Sequence, residues 1–339
     1  MAVLSKSQMS EEDIKFHYIT PAITAKWNNQ HITLETKITD GRINLKGNIV
    51  AREKPKRADY VLYLSANNPI AIVEAKDNNH TVSHGLQQAM TYAQMLDVPF
   101  AFSSNGDGFA EHDFLTGKER TFGLDEFPTE KELVERYKAG ANDGAGLTDV
   151  QEKMIAQPYY SSQKTYPPRY YQRIAINRTL DAIARGQNRL LLVMATGTGK
   201  TYTAFQIVYR LLKSGLKKKI LYLADRNILI DQTMVQDFKP FKKFMTKITS
   251  VGEGEEKIDS SYEVYMALYH QLVGKEGKPD PFLEVQPNFF DLIIVDECHR
   301  GSAKDDSAWR KVLEYFSSAT QIGMTATPKA DEGANNLDY

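Results

Sequence analysis

In the second half of the chain, short apolar strand-like runs alternate with stretches of helical spacing, and this pattern constrains the fold most. "RLLLVMA" leads into "GKTYTAFQIVYRLLKSG", and "KILYLAD" (219–225) leads into "RNILIDQTMVQDF". "DLIIVDE" (291–297) is followed by "DSAWRKVLEYF" (306–316), and "QIGMTAT" closes the series. A strand apolar at consecutive positions is buried on both faces. Such strands joined by amphipathic helices form a parallel sheet covered on both sides. Gly215 is expected to end the first of these helices.

The first half reads differently. Residues 12–27, "EDIKFHYITPAITAKW", have helical spacing with an interruption or restart expected at Pro21. "HITLETK" (31–37) alternates like a strand. "ADYVLYL" (58–64) and "IAIVEAK" (70–76) read as two strands joined by the turn residues "SANNP". A helix is expected over 84–96 and a further strand over 99–106. The Gly-, Ala- and Asp-rich segment 139–149 reads as a boundary, which divides the chain into domains 1–150 and 166–339 with a linker at 151–165.

A length of 339 residues accommodates two such domains. The formal net charge of −1 gives no overall attraction to a polyanion, so nucleic acid has to be met by local basic patches. The single cysteine excludes an internal disulfide and a multi-cysteine zinc site. No run of 18 apolar residues appears and the N-terminus lacks a signal-peptide core, so no membrane association is expected and the cytoplasm is the expected location.

"MATGTGKT" (194–201) lies between a strand and a helix, where a glycine-containing turn aims backbone N–H groups at an anion and the helix adds its positive end. Gly197, Thr198, Gly199, Lys200 and Thr201 are the expected nucleotide contacts, Lys200 reaching the β- and γ-phosphates and the Thr201 hydroxyl reaching Mg²⁺. Met194 stands where the general phosphate-loop pattern has glycine. The second motif, "VDECHR" (295–300), ends an apolar strand in paired acids. Asp296 suits Mg²⁺ held through water, and Glu297 suits positioning or deprotonating the attacking water. Cys298 reads as a packed small residue rather than a nucleophile.

"DECH" resembles the DExH box of superfamily 2 helicases and translocases, a family that tolerates other residues at position 194. The resemblance extends to "PPRYYQ" (167–172), which implies adenine reading by Gln172, and to "LADRNILIDQ" (223–232), which implies a DNA-backbone contact. It also covers "TATP" (325–328), which implies coupling of hydrolysis to domain movement, and it gives His299 a coupling role. The lysine-rich stretches 213–219 and 239–247 read either as phosphate contacts or, more commonly, as solvated faces.

In the first half, Glu74 and Lys76 are two apart on one strand and share a face, and pairing brings Asp59 beside them. Two carboxylates and an ammonium suit Mg²⁺-dependent phosphodiester hydrolysis, with Asp59 and Glu74 as metal ligands and Lys76 orienting the nucleophile or stabilising developing charge. Charges at a hairpin end are also the ordinary reading of such a pattern. Gln88 and Tyr92 lie on one helical face and resemble the Q-x-x-x-Y element of RecB-like nucleases. "AREKPKR" (51–57) adds positive charge, and Glu11 is either an upstream acid of such a site or a surface residue.

A RecB-like nuclease followed by a superfamily 2 motor resembles the restriction (R) subunit of type I restriction-modification enzymes. The implied fold class is α/β: an N-terminal PD-(D/E)xK-type nuclease domain, then a RecA-like P-loop domain with a parallel sheet. The implied activity is ATP-driven movement of double-stranded DNA with Mg²⁺-dependent cleavage, in partnership with modification and specificity subunits. The family also implies a second RecA-like domain with an arginine finger, for which the eleven residues after Pro328 leave no room. The chain is therefore expected to be an N-terminal fragment that binds ATP weakly and does not translocate alone. Two rivals remain: a repair or RNA helicase whose N-terminal domain only binds nucleic acid, and an interaction module with a decayed nuclease.

Overall fold

Six strands form the sheet of the first unit, and they lie side by side in the order in which the chain makes them: β1 (Ile32–Thr39), β2 (Lys56–Ser65), β3 (Asn68–Ala75), β4 (Phe100–Ser104), β5 (Gly108–Asp113) and β6 (Lys118–Gly123). The computed structural model describes residues 5–39, 43–46, 49–52, 54–65, 68–163, 165–248, 258–273, 280–298, 310–327, 330–331 and 334–335. The chain separates into two units, Met1–Ile174 and Ala175–Tyr339.

In the first unit every neighbouring strand pair is antiparallel except β3 and β4, which are parallel. A parallel pair needs a crossover, and helix α1 (Leu86–Leu96) supplies it. One face of the sheet, with Tyr60, Leu62, Val73, Phe100 and Phe102, packs on Ile14, Ile19 and Ile23 of the N-terminal helical stretch. The other face, with Val61, Ile72 and Ala101, packs on Ala89, Tyr92, Ala93 and Leu96 of α1.

The N-terminal stretch departs from expectation. Helical turns Glu11–Ile14 and Thr20–Thr24 are joined by a π-helical segment, Lys15–Ile19, so the irregularity precedes Pro21 instead of falling on it. Proline has no N–H to offer the ladder, and Pro21 sits in the first turn of the second segment, where that N–H is not needed. The hairpin β5–β6 and helix α2 (Glu130–Gly140) were not legible as alternating patterns. Glu111 of β5 is buried but paired with Arg120 of β6 and Arg136 of α2, each at 2.5 Å, so a charged residue occupies a core position. Beyond the glycine-rich turn, α3 (Asp149–Ala156) is capped by Thr148 and tied back through Gln151 to Asn142.

The second unit contains β7 (Arg189–Val193), β8 (Ile220–Ala224), β9 (Met245–Lys247), β10 (Val264–Leu268), β11 (Leu292–Asp296) and β12 (Thr320–Thr325). All are parallel, in the order β9-β10-β8-β11-β12-β7. Every residue of β8, β10, β11 and β12 is buried, which suits the apolar runs of β8 and β10 in a doubly covered sheet and includes the polar Asp296 of β11 and Thr320, Gln321 and Thr325 of β12. Helix α4 (Tyr170–Ala184) spans the junction of the two units, and α5 (Lys200–Lys213) and α6 (Asn227–Val235) follow β7 and β8. Helix α5 ends before Gly215, whose φ of +72° gives the left-handed turn that closes it. The chain leaves β7, skips two places to β8, and later fills the gap with β11 and β12. The loops at the carboxyl ends of β7 and β11 therefore flank β12, where open parallel sheets bind ligands.

The turn after β4 tests how the first core is closed. Gly106 has a φ of +85°, and a Cβ there would lie 2.9 Å from Ile14 Cγ2. Gly106→Ala is expected to destabilise the first unit by about 1–2 kcal/mol from backbone conformation alone. Urea unfolding followed by the fluorescence of Trp27, buried in the same core, checks this. An unchanged midpoint contradicts it.

Candidate active sites

In the first unit, Tyr60 pairs with Val73, so the next step of the register sets Asp59 opposite Glu74. The Asp59 N–H donates to Glu74 Oε1 at 3.4 Å, and the Ala75 N–H donates to Asp59 Oδ2 at 2.8 Å. Gln88 Nε2 of α1 donates to Glu74 Oε2 at 2.7 Å and lies 3.3 Å from the Tyr92 hydroxyl. Lys76 extends on the Glu74 face, its Nζ 3.9 Å from Glu11 Oε2. Gly85 borders this corner: a Cβ there would lie 3.2 Å from Ser103 Cβ and in ordinary contact, 3.5 Å, with Glu74 Cβ and Lys76 Cε. Asp59, Glu74, Lys76, Gln88 and Tyr92 thus share one corner of the sheet, and Glu11 joins them.

Glu74 is 1% exposed. Its carboxyl is pushed up to about 8, first by burial and then by the charge of Asp59, with Lys76 pulling the other way. Glu11 is also raised, chiefly by burial. Two facing carboxylates, one of them sealed from water, are a fitting donor set for a hard divalent cation, which would relieve their repulsion. Among the described residues no three His, Cys, Asp or Glu side chains gather as a ready metal cage. Mg²⁺ needs none, since one or two carboxylates with water suffice.

In the second unit, Gly197 and Gly199 adopt φ values of +79° and +83°, which form the loop between β7 and α5. The Thr198 N–H and hydroxyl both donate to the Ala195 carbonyl, closing the turn. Lys200 and Thr201 open α5, whose N-cap, Gly199, has no side chain to occupy the free N–H groups. Lys200 Nζ lies 3.2 Å from Glu297 Oε1, so the loop and the end of β11 converge. Asp296 is buried; Tyr222 donates to its Oδ2 at 2.8 Å, and its Oδ1 has no hydrogen-bond partner. Burial raises the Asp296 carboxyl, Tyr222 opposes this, and Glu297 adds to it. Glu297 itself has a φ of +52°, so the chain turns sharply there. A buried oxygen without a partner, beside a lysine and an open helix N-terminus, fits a Mg²⁺–triphosphate.

Strand β12 links the two loops: the Met194 N–H donates to the Thr325 carbonyl and the Cys298 N–H to that of Met324. Cys298 is buried, and burial pushes its thiol up to about 12, which suits packing and not nucleophilic work. His299 and Pro328 lie outside the described residues. Gln172 is buried near the start of α4, where its Oε1 accepts the Arg169 N–H at 2.9 Å. Within the lysine-rich stretches, Lys217 donates to Thr320, Lys219 to the carbonyls of Ser260 and Tyr262, and Lys247 to Asp231.

A family model described as "Type I restriction enzyme R protein N terminus" matches residues 24–128, and one described as "Type III restriction enzyme, res subunit" matches residues 165–330. The EcoAI endonuclease subunit of Escherichia coli is 49% identical over the whole of this chain and 42% of its own length. The structure of an HsdR subunit fragment from Vibrio vulnificus superposes on 96% of this chain and 56% of that one, with a TM-score of 0.76 and 38% identity. The chain belongs to the family of type I restriction enzyme R subunits. The EcoKI endonuclease subunit of E. coli K12 is more distant, at 28% identity over 80% of this chain and 28% of its own length. The chain thus spans less than half the length of both E. coli relatives. Relatives named as endonuclease subunits match both halves, which favours a nuclease-plus-motor reading over a helicase whose first domain only binds. A helicase-like motor domain implies use of a nucleotide. No helix among the described residues is long and apolar enough to cross a membrane.

Sequence reasoning did not reach Lys15 and Glu35 of this R-subunit chain, which approach Asp59 from elements distant in sequence. Their pattern is that of an ordinary helix and an ordinary edge strand. The Glu74 environment yields a pH test. Unfolded Glu74 releases its proton near 4.5, whereas the native chain holds it to about 8. Between those values the native state binds more protons, so this group's contribution to stability falls as pH rises through the window. In EDTA, Glu74→Gln is expected to melt close to wild type at pH 5 and above it at pH 9, by roughly 5 °C or about 2 kcal/mol. Mg²⁺ should narrow the gap at pH 9. An equal gap at both pH values contradicts the assignment.

Proposed function

We propose that this chain carries the nuclease centre and the first motor domain of an ATP-driven, Mg²⁺-dependent restriction endonuclease acting on double-stranded DNA in the cytoplasm with modification and specificity subunits. The observation that supports it best is the presence of two separate acidic centres, each at the carboxyl end of an apolar strand, within the two family-matched segments.

In the nuclease centre, Asp59 and Glu74 hold the cation and Gln88 fixes Oε2 of Glu74. Tyr92 buttresses Gln88. Lys76 orients the attacking water or stabilises charge on the phosphate. When bound, Mg²⁺ polarises the phosphoryl oxygen and lowers the pKa of water. In the motor centre, the 194–199 loop and the N-terminus of α5 cradle the phosphates, and Lys200 neutralises them. Thr201 and Asp296 hold the Mg²⁺ of the nucleotide, Glu297 positions the attacking water, and Gln172 reads adenine. His299 couples the site to the 325–328 segment. Within the native chain Lys200 rests on Glu297 at 3.2 Å, so nucleotide binding releases the acid for its task.

The test uses full-length R subunit assembled with its partners. Glu74→Ala is expected to lower DNA cutting by roughly 10²–10³-fold while ATP hydrolysis survives. Lys200→Ala is expected to abolish ATP hydrolysis and, because cutting follows translocation, to suppress cleavage of long DNA as well. Cutting that persists in Glu74→Ala removes the nuclease assignment. Undiminished ATP-independent cutting in Lys200→Ala removes the coupling.

A further inference from the structure

Lys15 lies among three carboxylates. Its Nζ is 2.7 Å from Glu12 Oε1, 2.8 Å from Glu35 Oε1 and 2.9 Å from Asp59 Oδ1. Its side chain is only 10% exposed, whereas those of Glu12 and Glu35 are 77% and 52% exposed. Exposed acids contribute little stability by pairing. Their arrangement around a buried lysine that ends on Asp59 suggests control of geometry.

Two unusual backbone conformations converge on this contact. Lys15 begins the π-helical segment, a conformation that occurs mostly as single turns and often at functional sites. Glu35, inside β1, has a φ of +47°, a conformation that costs free energy in a residue with a side chain. Its carbonyl accepts from Arg57 Nη1 at 3.2 Å. Leu34 pairs with Tyr60 and Thr36 with Ala58, so Glu35 stands directly across from Asp59. Glu35, Asp59 and Glu74 therefore form one row across three strands, with Asp59 in the middle. Asp59 is fixed at both oxygens: Oδ2 by the Ala75 N–H and Oδ1 by Lys15.

We infer that Lys15 is a positioning residue of the nuclease centre: gripped by Glu12 and Glu35, it holds Asp59 in the orientation in which Asp59 and Glu74 take a divalent cation. The inference rests on the nuclease reading above. It assigns Glu35 a place in the same device, one strand further from the cation. Partners that orient a metal ligand commonly change metal affinity 10- to 100-fold when removed.

Calorimetric titration of Mn²⁺ into this chain, without DNA or nucleotide, separates the possibilities. Wild type is expected to bind one cation at a site that Glu74→Gln abolishes. Lys15→Met and Glu35→Gln are each expected to weaken that site about 10-fold or more, with ATP affinity unchanged. Glu35→Gln guards against loss of folding, since that side chain is half exposed and the substitution keeps its size. Wild-type Mn²⁺ affinity in both variants, with only a lowered melting temperature, overturns the inference and leaves Lys15 a structural ion pair. Tighter binding in Lys15→Met also overturns it, because the ammonium would then compete with the cation. If Glu74→Gln binds as wild type does, the nuclease reading fails and the inference with it.

Discussion

The constraint on which this molecule depends is the placement of a carboxylate, largely sealed from water, at the carboxyl end of a central strand. Both units do this: Glu74 in the first and Asp296 in the second. Burying such a group raises its pKa and costs free energy unless hydrogen bonds or cations compensate. A sheet can bear that cost because its strands are fixed by their neighbours on both sides. Glu74 on β3 lies between β2 and β4, and Asp296 on β11 lies between β8 and β12.

The two centres are held by different means, which fits different tasks. Glu74 is gripped by Gln88 from the crossover helix, which ties the buried carboxylate to the β3–α1–β4 unit. Asp296 is gripped at Oδ2 by Tyr222 and at its carbonyl by Tyr269, leaving Oδ1 for a ligand. Its neighbour Glu297 is tied to Lys200 across a loop. In the proposed motor centre, Lys200 exchanges Glu297 for the phosphates when nucleotide binds. Strand β12, bonded to both loops through Met324 and Thr325, is placed to register that change.

Much of this was legible in the sequence because the physics is local. Strands apolar at every position announce a doubly covered parallel sheet, and Gly197, Gly199 and Lys200 announce a phosphate loop without any tertiary information. Glu74 and Lys76 declare a shared face by their spacing, and Gln88 and Tyr92 do so by theirs. Other features are not local. Glu111 occupies a core position only because Arg120 and Arg136 arrive from β6 and α2, so the β5–β6 hairpin shows no clean alternation. Lys15 and Glu35 reach Asp59 through a π turn and a left-handed strand residue, which no spacing rule anticipates. The break expected at Pro21 is displaced for a related reason: the helix places its proline in a first turn and takes the irregularity upstream.

The central claim is that one polypeptide holds two independent magnesium-dependent phosphate centres. A crystal structure of the chain with a non-hydrolysable ATP analogue and Mn²⁺, read by anomalous scattering, tests it most directly. The account predicts one peak beside the nucleotide phosphates, between Thr201 and Asp296, and a second between Asp59 and Glu74 with no nucleotide near it. A nucleotide bound away from Lys200, or no cation between Asp59 and Glu74, contradicts it.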